Sequence, residues 1–151
     1  MKKTKGYLPT KACAACGGAC CKKLPGSTAP KDWGAPDRKK MTRRLTAALG
    51  QKYAIDWWEE DADNPEMEFV RPSTTEQVGL IRDPSWGGEC VFLTGSGCSL
   101  PFSKRPYECR MLEPCPPGCI QHAGEPKLGA AKLWVPYQDV ILEAERIASS
   151  K

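Results

Sequence analysis

Aliphatic side chains are scarce in this sequence of 151 residues. Leu, Ile, Val and Phe account for only 24 residues, whereas there are 14 Gly and 14 Pro. So few aliphatic residues supply only a small hydrophobic core, and the composition is close to that of disordered chains. A net charge of only +4 and five Trp residues argue against disorder. The chain therefore requires another source of stability, such as disulfides or bound metal.

Long apolar runs and histidine are also nearly absent. No apolar stretch approaches the roughly 20 residues that span a bilayer, and residues 1–10 have the positive charge of a signal peptide without its apolar segment. We therefore expect a cytoplasmic protein with no membrane partner. His122, the single histidine, is a metal-ligand candidate three residues after Cys119, and no Ser/His/Asp catalytic set is recognised around it. The sequence leaves open whether the protein is an enzyme.

Cysteine, in contrast, is abundant and clustered. Of the nine cysteines, four lie in residues 13–21 and five in residues 90–119. In a reducing compartment cysteines remain thiols unless they are catalytic or bound to metal, and an odd number cannot pair fully within one chain. Metal ligation is therefore favoured over a secreted disulfide framework. Because one closed site takes about four protein ligands, nine cysteines indicate two sites or one bridged site.

The periodicity predicts a small irregular α+β fold, a single metal-stapled domain over residues 1–151 with about three helices. Helices are predicted at 36–49, 103–111 and 136–149. Short strands are predicted at 66–71, 78–82, 89–93 and 97–100. The last two strands form a predicted hairpin that brings Cys90 near Cys98. We interpret Trp57 and Trp58 as a packed aromatic pair beside a solvated acidic loop.

The first cysteine segment has the local chemistry of a thiolate site. Gly17 and Gly18 allow the backbone to turn tightly and direct N–H groups at sulfur. Such donors are needed because four thiolates around Zn²⁺ leave a net charge of about −2. Cys20 and Cys21 are adjacent, so their side chains point to opposite sides of an extended backbone and do not readily bind one ion together.

Cations flank the second cysteine segment for the same reason. Arg105 and Arg110 lie on either side of Cys109. We interpret these two arginines as cofactor-binding residues whose charge partly neutralises the thiolates, rather than as solvated surface side chains.

Two segments of the chain resemble the YkgJ-type cysteine-cluster proteins, often called the CxxCxxCC family, a zinc- or iron-chelating domain. The first is CAACGGACCK at residues 13–22, and the second is GGECVFLTGSGCSLPFSKRPYECRMLEP at residues 87–114. RPYECR at residues 105–110 is the most specific part. The resemblance implies that zinc or iron, including an iron–sulfur cluster, is the cofactor.

The resemblance also implies the ligand set. Matching the family motifs gives Cys13, Cys16, Cys20, Cys21, Cys90, Cys98 and Cys109, with Cys115 and Cys119 as further candidates. Two departures are present: three residues precede the Cys-Cys pair where the family has two, and Pro101 stands where the family has Tyr.

Three functions are compatible with these features. The first is a metal-binding protein whose biochemical role and protein partner the sequence does not specify. The second is an iron–sulfur-dependent enzyme or accessory in protein modification or redox chemistry, because a similar cluster occurs in flagellin lysine methylases. However, the chain has no GxGxxG loop for a methyl donor.

The third function is a zinc-stapled nucleic-acid-binding module. It is suggested by Lys39, Lys40, Arg43 and Arg44 on a predicted helix, together with a pI near 8.6. The near balance of 22 basic and 18 acidic residues instead favours a solvated helix face.

Overall fold

The computed structural model describes residues 25–58, 67–85, 87–94, 97–111 and 124–150. These ranges contain four α-helices and two small antiparallel sheets. The helices are α1 Arg38–Ala48, α2 Tyr107–Met111, α3 Gly124–Leu133 and α4 Gln138–Ser149. The strands are β1 Tyr53–Trp58, β2 Met67–Pro72, β3 Leu93–Thr94 and β4 Gly97–Cys98. Short 3₁₀ turns lie at Pro30–Trp33, Phe102–Lys104 and Val135–Tyr137.

The small α+β class is confirmed, and the three predicted helices are present with shifted ends. Helix α1 begins at Arg38 because the carboxylate of Asp37 caps it, accepting from the Lys40 amide at 3.0 Å. It ends before Gly50, whose φ of 82° lies in the left-handed region that glycine adopts readily. The other two predicted helices each begin with a 3₁₀ turn, followed by α2 and α4 respectively.

Helix α3 is a fourth helix that the sequence pattern did not predict. Its ten residues include two Gly and one Pro, which obscure helical periodicity. None of the helices in the described ranges is long and apolar enough to cross a bilayer.

The main sheet pairs β1 with β2 in antiparallel register, from Tyr53 opposite Pro72 to Trp58 opposite Met67. The predicted strand at 66–71 is thus confirmed as β2. Strand β1 was not predicted, and Trp57 and Trp58, interpreted from the sequence as a packed aromatic pair, are its last two residues. Tyr, Ile and Trp are strand-forming residues, and this signal was present in the sequence.

The predicted strand at 78–82 was wrong. Residues 75–79 form a turn in which Gly79 has a φ of 103°. Only Arg82 pairs with the sheet, through a single parallel bridge to Ile55. Val78 and Leu80, the apolar residues that suggested the strand, are exposed.

Two tryptophans compensate for the scarcity of aliphatic residues in the core. Helices α1 and α4 pack against each other, and α3 and α4 also contact β2. The core residues are Trp33, Met41, Leu45, Leu49, Ile55, Phe69, Val70, Ala131, Trp134, Val140, Ile141 and Ala144. Both indole N–H groups reach Thr28: Trp33 donates to its hydroxyl at 2.9 Å, and Trp134 donates to its carbonyl at 2.8 Å. Thr28 thereby satisfies the polar atoms of the two largest core side chains.

A buried ion-pair network fixes the chain after β2. The guanidinium of Arg71 bonds to Asp56 at 2.7 Å and to Asp83 at 3.2 Å, and the Arg71 and Asp83 side chains are fully buried. Burial raises the pKa of Asp83, but hydrogen bonds from Ser85 and Thr74 and the charge of Arg71 outweigh that effect and lower it to about 2. The folded state therefore favours the carboxylate form of Asp83.

We predict that Asp83→Asn lowers the free energy of unfolding in a pH-dependent manner. Because the folded pKa lies below the ordinary value of 3.8, the stabilisation is present above about pH 4 and is lost as the pH falls toward 2. The pH-dependent part amounts to about 2 kcal/mol in full, of which about 1 kcal/mol is lost between pH 6 and pH 3. Urea unfolding at these two pH values measures that loss.

Asp139→Asn is the matched control, because Asp139 forms an ion pair with Arg38 in which its side chain is 70% exposed. If the difference in the free energy of unfolding between wild type and Asp83→Asn stays constant from pH 6 to pH 3, the lowered pKa of Asp83 is contradicted.

Candidate metal centre

Three of the predicted metal ligands are described, and each lies on a different element. Cys90 is 5% exposed and pairs with Thr74 in an antiparallel bridge. Cys98 ends β4, opposite Leu93. Cys109 lies within α2, and all three residues carry thiols rather than disulfides.

The predicted hairpin is present but shorter than expected. Its paired strands are β3 and β4 alone, and Cys90 lies before the hairpin, with its carbonyl accepting from the Leu93 amide at 3.0 Å. Cys98 therefore pairs with Leu93 rather than with Cys90.

Tyr53, at the start of β1, has a phenol whose pKa the described cysteines affect. Burial raises this pKa most, and the negative charges of four groups raise it further, to about 12. In decreasing order of effect, these groups are Cys90, Asp32, Cys109 and Cys98.

The remaining predicted ligands lie outside the described residues. They are Cys13, Cys16, Cys20, Cys21, Cys115, Cys119 and His122. Within the part of the chain that the structure describes, no three His, Cys, Asp or Glu side chains form a group that could hold a metal ion.

The backbone just after the N-terminal cysteine segment lies against Cys109. A Cβ placed on Gly26 would lie only 2.5 Å from the Cys109 Sγ, so only glycine fits there without a shift. Ser27 forms two hydrogen bonds with Glu108 of α2, the helix that contains Cys109. Ser27 N donates to the Glu108 carboxylate at 2.7 Å, and Glu108 N donates to the Ser27 carbonyl at 2.9 Å. This close approach fixes residues 26 and 27 beside the Cys109 thiol.

Arg105 and Arg110, the predicted cofactor-binding residues, are both fixed by hydrogen bonds. Arg105 is 4% exposed, and its Nε donates to the Leu100 carbonyl at 2.9 Å. Arg110 forms an ion pair with Asp32 at 2.9 Å and also donates to the Arg105 carbonyl. Their role toward a cofactor stays a prediction.

Three residues of this region were not identified from the sequence: Gly26, Asp32 and Tyr53. Asp32 accepts from the backbone N–H groups of Ala29 and Tyr107, both at 3.0 Å, and so joins the 3₁₀ turn at Pro30–Trp33 to α2. Tyr53 could have been found by recognising β1. The roles of Gly26 and Asp32 depend on contacts across more than 70 residues, which no local pattern signals.

Residues 12–121 match the model of the CxxCxxCC family, described as "Putative zinc- or iron-chelating domain". This match covers well over half of the chain, so the protein belongs to the CxxCxxCC family. The suspected family is thereby confirmed, and with it the coarse assignment of zinc or iron chelation. Searches of curated proteins and of solved structures found no significant match.

We predict that Gly26→Ala destabilises the protein by about 1–3 kcal/mol, because the added methyl group overlaps Cys109 Sγ in a packed contact. Urea unfolding measures this loss. Gly129→Ala is the matched control: it lies in α3, and a Cβ placed there would have no neighbour within 4 Å. We expect Gly129→Ala to leave stability unchanged or to raise it by up to about 1 kcal/mol. Equal effects of the two substitutions would contradict the close approach of Gly26 to Cys109.

Proposed function

We propose that the protein binds zinc or iron through thiolates from both cysteine segments. Cys13, Cys16, Cys20 and Cys21 are the proposed ligands of the first segment. Cys90, Cys98 and Cys109 are the proposed ligands of the second, with Cys115 and Cys119 as further candidates. The observation that carries the proposal is the close approach of Gly26, five residues after Cys21, to the Sγ of Cys109.

Chain length supports a site shared by the two segments. Gly26 lies against Cys109, and Cys21 precedes Gly26 by only five residues. A fully extended chain spans at most about 3.6 Å per residue, so a connection of five residues spans at most about 18 Å. This short connection in the sequence supports thiolates from both segments as ligands.

The donor chemistry fits the proposed metals. Thiolates are soft ligands that select zinc and iron–sulfur clusters. When bound, zinc would supply a cross-link between the segments, whereas an iron–sulfur cluster would in addition transfer electrons. The protein's own part is to bring thiols from separate elements together and to keep Cys90 shielded from water.

The charges on α1 support a solvated helix face rather than a nucleic-acid interface. Arg38 already pairs with Asp139, and the groove lined by Lys39 and Arg43 also contains the carboxylate of Glu143. A phosphate backbone in this groove would meet both acidic side chains. The proposal further includes one domain over residues 1–151 and a cytoplasmic location, where thiols stay reduced.

We predict that protein purified without oxygen contains zinc or iron, and that Cys109→Ser lowers the metal content more than Cys115→Ser does. Cys109 lies beside the chain that leads to the first cysteine segment, whereas Cys115 is only a further candidate. Elemental analysis measures the metal, and visible absorption distinguishes an iron–sulfur cluster from colourless zinc.

The proposal fails if the folded protein contains no metal, or if Cys109→Ser and Cys115→Ser both retain the wild-type content. Gly129→Ala serves as the fold control, because it changes an exposed helical position. Treatment with a chelator should also unfold the wild-type protein, since metal binding and folding are coupled at such sites.

A further inference from the structure

A cavity of about 590 Å³ opens near Cys109, and none of the three described cysteines lines it. It lies between the 3₁₀ turn at Pro30–Trp33, the start of β1, and the segment from Leu100 to Arg110. Tyr53 and Arg110, the residue after Cys109, are part of its wall.

One side of the cavity is aromatic. Trp33 meets Tyr53 edge-on with ring centroids 5.1 Å apart, and Tyr53 meets Phe92 at 5.6 Å. All three rings line the cavity and contact one another in sequence. This continuous wall is suited to a flat, unsaturated group, because aromatic rings pack favourably against such surfaces.

The rest of the lining is strongly basic. The cationic side chains in the wall are Lys31, Lys104, Arg105 and Arg110. Among the described lining residues, Asp32 is the one carboxylate, and its charge is taken up by Arg110 and two backbone N–H groups. Lys31 and Lys104 are exposed at the rim, and neither pairs with a carboxylate in the described part of the chain. These two lysines therefore give the rim a positive charge that attracts an anionic group.

We propose that this cavity binds a small anion that carries an aromatic ring. The ring packs against Trp33, Tyr53 and Phe92, while the anionic group lies toward Lys31 and Lys104. This inference goes beyond metal chelation and does not depend on it, because none of the three described cysteines lines the cavity.

Phenyl phosphate is a suitable probe, since it combines a benzene ring with a phosphate group. Two further probes separate the contributions: inorganic phosphate has the charge without the ring, and benzyl alcohol has the ring without the charge. Each is titrated into the purified full-length protein, and amide and indole N–H shifts are followed by NMR. We expect saturable shifts centred on Trp33, Phe92 and Ser103, with phenyl phosphate binding more tightly than either control probe.

Charge reversal at the rim tests the cationic side. Lys31→Glu and Lys104→Glu should each weaken phenyl phosphate binding by about tenfold, and added salt should weaken it further. Lys132→Glu is the matched control, because Lys132 is exposed on α3, is not among the cavity residues, and changes the net charge equally. All three lysines are on the surface, so these variants should fold.

Several results would overturn the proposal. One is the absence of saturable shifts with phenyl phosphate. Another is a set of shifts centred away from the cavity, and a third is equal weakening by Lys132→Glu and Lys104→Glu. The metal content of each sample is measured in parallel. Loss of anion binding in metal-containing protein contradicts this inference alone, whereas metal-free folded protein contradicts the proposed function alone.

Discussion

Residues 27 and 28 connect the main sheet, the tryptophan core and the helix that contains Cys109. Ser27 is bonded in both directions to Glu108 on the helix that contains Cys109. Thr28 bonds through its amide and its hydroxyl to the Val70 carbonyl of the main sheet, at 2.9 and 2.6 Å. Both core tryptophans also bond to Thr28. One short segment therefore joins the sheet, the tryptophan core and the second cysteine segment, and it does so directly after the first cysteine segment.

This arrangement explains how a chain with few aliphatic residues can fold. Its core relies on Trp33 and Trp134, and a buried ion pair between Arg71 and Asp83 fixes the chain after β2. The same network orders the neighbourhood of one cysteine, because Asp83 accepts from the amide and hydroxyl of Thr74, which pairs with Cys90. Thiolate ligation would add a cross-link to a chain with a small hydrophobic core, and the binding energy of the metal would contribute to folding.

The sequence predicted the elements that carry strong local signals. Helix α1 was recognised from the helical spacing of its apolar residues and its terminating Gly50, and α4 from its clear apolar face. The errors arose where contacts between distant parts of the chain determine the secondary structure. Val78 and Leu80 looked like strand residues but lie in and after an exposed turn, and β1 was overlooked because its tryptophans were considered without their strand-forming neighbours. At the site, the cysteines and the family could be identified from motifs, whereas Tyr53 and Gly26 act through distant contacts.

We propose that thiolates from both cysteine segments bind metal together, in one bridged site or in two sites. Differential alkylation followed by mass spectrometry tests it most directly, because it reports the reactivity of each thiol with and without metal. Burial alone protects Cys90 from alkylation in the folded protein, so Cys98 and Cys109 are the informative thiols of the second segment. We predict that metal protects them together with Cys13, Cys16, Cys20 and Cys21, and that removing the metal exposes both groups at once. Protection confined to a single segment would contradict the account.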